Sequence, residues 1–76
     1  MFVTREHYRI VGLNLCAARQ TVGLERAEVA RRLNLTVANI DAVEYGRERP
    51  TPMELQILCR MYQINIKSVL VVQTVH

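Results

Sequence analysis

The sequence predicts a single all-α domain over residues 1–76. Apolar residues recur at helical spacing in short blocks, glycine or asparagine closes those blocks, and Thr or Asn stands at the head of several. Half of the residues are hydrophobic and 22% are charged, which is a globular composition rather than a disordered one. With 76 residues the core is small and its stability marginal, so a partner subunit would help.

Thr4 is the expected cap of a first helix that runs to about residue 21. Ile10, Leu13 or Leu15, and Ala18 form its inner face. Gly12 lies inside this helix at a cost in propensity, which a close approach by another helix would explain. Gly23 ends it. A second helix fits 25–33, with Val29, Ala30 and Leu33 inward and Arg31 and Arg32 outward. Asn34, which tolerates the left-handed conformation, closes it. Thr36 caps a third helix over about 37–45, with Ile40 and Val43 facing in and Gly46 as its stop. Thr51-Pro52-Met53-Glu54 is a capping box with proline at the first helical position. The fourth helix that follows is lined by Leu55, Leu58, Cys59 and Tyr62. Asn65 heads a short fifth helix reaching Leu70. The β-branched tail, 71–76, is expected either to pair as a strand with the same strand of a second subunit or to pack as an apolar strap.

Helix, tight turn through Asn34, helix: this spacing makes a helix-turn-helix pair over about 25–45. The order of motifs then becomes specific. Val11-Gly12 and Arg19 stand in the first helix, and Gly23-Leu24-Glu25-Arg26 leads to Val29-Ala30 in the second. Leu33-Asn34-Leu35-Thr36 forms the turn, and Ile40-Asp41-Ala42-Val43-Glu44-Tyr45-Gly46 the third helix. Pro50 and the helix over 53–62 follow. In this order and spacing the chain resembles the Cro/repressor (Xre-like) helix-turn-helix family over roughly 10–70. The resemblance implies a five-helix lambda-repressor-like domain, with the short C-terminal strand used in dimerisation as an option.

The resemblance also implies roles for individual residues. Arg19 pairs with Glu44 and locks the third helix to the scaffold; ordinary surface charges are the alternative. The third helix enters the major groove through Val37, Ala38, Asn39, Asp41 and Ala42. Asn39 has the chemistry for a bidentate contact to adenine, and Asp41 can accept from cytosine or orient a neighbouring Arg. Val37, Ala38 and Ala42 offer only methyl contacts, for which thymine is the expected base. Arg26, where the family usually has Gln, either binds phosphate or guanine or is a solvated charge paired to Glu25 or Glu28. Thr36 caps its helix and can also bind phosphate. Arg47 and Arg49 on the following loop are expected to touch the DNA backbone, weakened by Glu48 between them. Tyr45 is expected to cover surface, with donation to a phosphate as the alternative; Cys59 is expected to be core, and Cys16 a surface or interface thiol.

Charge permits nucleic acid without demanding it. The net charge is +3 and the pI about 9.3, yet residues 25–50 balance five Arg against five acids. No nucleophile–base pair, phosphate-cradling loop or metal cluster is visible, so neither an enzyme nor a cofactor or metal is expected. Aromatics are 5% of residues and form no stacking platform, which disfavours RNA. No apolar run approaches ~18 residues, the start lacks signal-peptide order, and Cys16 and Cys59 form no CxxC pair. A reducing cytoplasm, in a bacterium or encoded by phage or plasmid, is the expected location. The expected function is a double-stranded DNA-binding transcriptional regulator, a repressor acting as a homodimer on a palindromic operator. The dimer would form through helix five and the tail. The alternative is a helix-turn-helix module that binds protein, such as an anti-repressor or antitoxin-like partner.

Overall fold

A computed structural model describes residues 5–70. The expected cap at Thr4 and the expected strand or strap over 71–76 lie outside these residues. Among the described residues there are five helices and no strand: α1 (Arg5–Thr21), α2 (Arg26–Leu33), α3 (Val37–Glu44), α4 (Pro52–Met61) and α5 (Ile66–Leu70). None of them is long and apolar enough to cross a membrane.

Local chemistry accounts for most boundaries. The backbone of Thr36 and that of Thr51 are both extended, and each hydroxyl accepts from the amide three residues on. That satisfies one of the orphan N–H groups of a helix start. In α4 the box is the expected one, Glu54 reaching back to the Thr51 amide at 2.9 Å. Asn34 stands at φ 57, so the Leu35 amide turns back to the Ala30 carbonyl at 2.8 Å. This closes α2 and starts the turn to α3 within three residues. Asn65 accepts from the Lys67 amide at 2.8 Å and opens α5.

The core is built from Val11, Leu15, Val29, Ala30, Ile40, Val43, Leu55, Leu58, Cys59, Tyr62 and Val69. The inner face of α1 is therefore rotated from the expected one. Val11, Leu15 and Arg19 are buried, Ile10 is half-buried, and Leu13 is 53% exposed. These inner positions follow one another at four-residue steps, a single stripe of the helix. α1 packs on α3 and α5, α2 on α3, and α4 on α5. Asn14 joins the two ends of the chain by donating to the Val69 carbonyl at 3.0 Å.

Gly12 is where α1 meets α3. A Cβ there would collide with the Val43 carbonyl oxygen and lie 2.5 Å from that of Glu44. The helix crossing thus requires the missing side chain, as the position of Gly12 in the sequence anticipates. At the other end of the same contact, Gly46 turns at φ 75 directly over the Arg9 backbone. Between them these two glycines seat the end of α3 against α1.

Candidate nucleic-acid interface

α3 has two sides. Ile40, Val43 and Glu44 are buried, while Val37, Ala38 and Tyr45 are exposed and Asp41 and Ala42 half-exposed. At about 100° per residue, Val37, Ala38, Asp41, Ala42 and Tyr45 fall on one outward arc. This arc is the face α2 and α1 hold out to solvent.

One carboxylate organises that presentation. Arg19 grips Glu44 with both arms of its fork, Nε to Oε2 at 2.7 Å and Nη2 to Oε1 at 3.2 Å. Its third nitrogen donates to the Leu24 carbonyl at 2.8 Å, which fixes the approach to α2. The two side chains are 8% and 3% exposed. The expected Arg19–Glu44 pair is thus present and buried. Cys16 lies half-buried beside it, its sulfur 3.6 Å from Arg19 Nη2. Burial pushes the Glu44 carboxyl up, but hydrogen bonds from Arg19 and Arg26 outweigh this and hold it below its ordinary range. Donating to Glu44 in turn raises the pKa of Arg19.

Arg26 departs from both of its expected pairings. It binds neither Glu25 nor Glu28 but turns toward α3, with Nε 2.9 Å from Glu44 Oε1 and 3.2 Å from Asp41 Oδ1. The bond to Glu44 raises its own pKa and secures its charge. Asp41 Oδ1 is buried and makes no hydrogen bond, so its contact with Arg26 is an ion pair only. Glu28 is occupied instead by Arg31 at 2.6 Å and Arg32 at 2.7 Å, which bring its carboxyl down to about 2.

Asn39 and Thr36 are bound to each other. The Asn39 Oδ1 accepts from the Thr36 amide at 3.0 Å and from the Thr36 hydroxyl at 2.8 Å. The Asn39 backbone amide in turn donates to the Thr36 hydroxyl at 3.1 Å. This is a capping box with Asn in place of Glu or Gln, which the sequence pattern for such boxes does not find. A bidentate contact from Asn39 to adenine would have to break it.

Tyr45, read from sequence as surface cover or a phosphate donor, is exposed and is flanked by two guanidinium groups. The guanidinium of Arg26 lies 5.5 Å from its ring centroid and that of Arg47 5.4 Å. Both are within cation–π range. Arg47, Glu48 and Arg49 are exposed on the loop beyond. The structure therefore brings Val37, Ala38, Asp41 and Ala42 onto one face, places Arg47 at its far end, and leaves Arg49 on the adjacent loop. The two guanidinium groups over Tyr45 are what motif reasoning missed; the place of Tyr45 on the outward arc was readable from helical spacing alone. Among the described residues no group of three His, Cys, Asp or Glu could hold a metal ion.

Known proteins share this architecture. A family profile described as a helix-turn-helix domain matches residues 11–65. Among solved structures, the DNA-binding domain of BldD superposes with a TM-score of 0.76 at 21% identity, covering 90% of this chain and 99% of that one. The clp gene regulator ClgR from C. glutamicum gives 0.74 at 21% identity, covering 83% of this chain and 82% of its own. At that identity the likeness is one of fold. No curated protein matches the sequence.

Proposed function

We propose, because this chain belongs to the helix-turn-helix domain family, that it is a DNA-binding transcriptional regulator. More finely, we read it as a sequence-specific repressor that binds a palindromic operator as a homodimer. The observation that carries the reading is the outward face of α3, held rigid from beneath by the Arg19–Glu44–Arg26 cluster. A helix locked to its scaffold and bare on its outer side suits insertion in a major groove. Arg47 and Arg49 flank it as positioning contacts to phosphate, and Thr36 stands at its N-terminus. BldD and ClgR, whose solved structures share the fold, are described as a DNA-binding domain and a gene regulator.

Dimerisation follows from arithmetic and from surface. One module of this size buries too little DNA for a useful specificity ratio, and two-fold symmetry doubles the contacts. Met53, Ile57 and Leu70 leave apolar surface on α4 and α5, at 71%, 41% and 40% exposure. That surface is where a second copy would bind.

A second reading has its own support. Arg31 and Arg32 are tied to Glu28, and Arg26 to Glu44 and Asp41, so little of the helix-turn-helix surface is free positive charge. A protein partner on the apolar face of α3 fits that balance. Selection of bound duplexes from a random library, at two salt concentrations, separates the two. A regulator enriches a palindromic motif that persists at the higher salt. Absence of enrichment, with binding lost as salt rises, leaves only phosphate attraction and favours the protein partner.

A further inference from the structure

The polar side chains at the base-reading end of α3 are largely engaged within the protein. The Thr36 hydroxyl and the Asn39 Oδ1 are committed to the helix cap. Asp41 turns Oδ1 to Arg26, and Arg26 itself is bound inward to Glu44. What remains over the first two turns of α3 is the side-chain nitrogen of Asn39, the second oxygen of Asp41, and the methyl groups of Val37, Ala38 and Ala42; the exposed Tyr45 follows at the far end.

The polar remainder carries little sequence information. One donor reaches the N7 acceptor of adenine and guanine alike. One acceptor is satisfied by the exocyclic amine of adenine or of cytosine. Telling guanine apart takes a forked pair of donors, and telling adenine apart takes donor and acceptor together. Within α3 itself neither is available while the cap is closed, and the forked donors of Arg26 and Arg47 lie over Tyr45 at the opposite end of the helix. The 5-methyl group of thymine, in contrast, is unique in the major groove, and apolar side chains contact it without hydrogen bonds.

We infer that the outward face of α3 selects duplex DNA by its thymine methyl groups, through Val37, Ala38 and Ala42. The inference rests on the reading that α3 enters the major groove of DNA. It adds that the sequence information lies in methyl contacts and not in hydrogen bonds to purine edges. Arg26 and Asn39 then serve as positioning residues: one compensates Asp41, and the other holds the first turn.

The test uses the full chain and the duplex recovered by selection, titrated by fluorescence anisotropy at fixed salt. In one duplex, deoxyuridine replaces thymine, which removes only the methyl group. In another, 7-deaza purines replace adenine and guanine, which removes only N7. Affinity is expected to fall about fourfold for each thymine methyl group that α3 touches and the substitution removes, and to hold with the 7-deaza purines. In Val37→Ala, an exposed change that leaves the cap intact, the deoxyuridine penalty is expected to shrink at one position per half-site. A 7-deaza loss equal to or larger than the deoxyuridine loss overturns the inference while DNA binding stands. Failure of selection to recover any duplex overturns the DNA reading, and the inference with it.

Discussion

Removing Glu44 strands the Arg19 guanidinium in the core and removing Arg19 leaves Glu44 with Arg26 alone, and this asymmetry sets what the pair is worth. Replacing both by apolar groups can be nearly neutral, whereas breaking a buried pair from one side typically costs about 3–5 kcal/mol. In a domain of 76 residues that is most of the stability available. Arg19→Met is therefore expected to lower the urea midpoint steeply, while Arg19→Met with Glu44→Leu recovers a large part of the loss. The pair also gives a pH signature. Glu44 has a lower pKa folded than unfolded, so its contribution is present above the ordinary carboxylate range. It is lost as pH falls through the lowered folded value. Stability followed from neutral pH into acid should decline below about pH 4, and more steeply in the parent than in Glu44→Gln. Parallel curves for the two proteins would show that Glu44 does not govern the acid transition.

At the level of helices, contact between α1 and α3 dominates over propensity. Glycine inside a helix normally costs about 1 kcal/mol against alanine. Gly12→Ala should nevertheless destabilise, by about 1–3 kcal/mol, because the new methyl meets backbone carbonyls that end α3 and cannot rotate away. A higher urea midpoint for Gly12→Ala would show that the crossing has room to spare. Much of this layer is legible in the sequence, since caps and breakers act over three or four residues. Thr36, Thr51, Asn34 and the place of Gly12 all read correctly from neighbours alone. What depends on distant residues is not legible. Proximity in the chain pairs Arg26 with Glu25 or Glu28, but the fold brings it to Glu44, 18 positions away. Helical spacing does not choose between Leu13 and Leu15, because they lie about 200° apart, one on either flank of the Ile10–Ala18 direction. The approach of α3 at Gly12 settles it, turning Leu15 inward at 1% exposure. Asn39 offers adenine a donor and an acceptor in the sequence, and the fold engages the acceptor with Thr36.

Across the protein as a whole, charge is arranged to hold the fold more than to attract a polyanion. Arg19 and Arg26 face Glu44 and Asp41, and Arg31 and Arg32 face Glu28. Backbone positioning on DNA then falls to the loop that carries Arg47 and Arg49, whose side chains are exposed, and specificity to the outward face of α3. Such a protein should bind with a modest salt slope for a DNA-binding domain, since few phosphates are neutralised. The same arrangement localises the contact to one side of the molecule. Amide chemical-shift mapping of the labelled chain against its selected duplex tests that localisation. Shifts are expected to concentrate over 36–42 and at Arg47 and Arg49, with α4 little changed. Shifts centred on α4 and α5 while α3 stays silent would contradict entry of α3 into the groove.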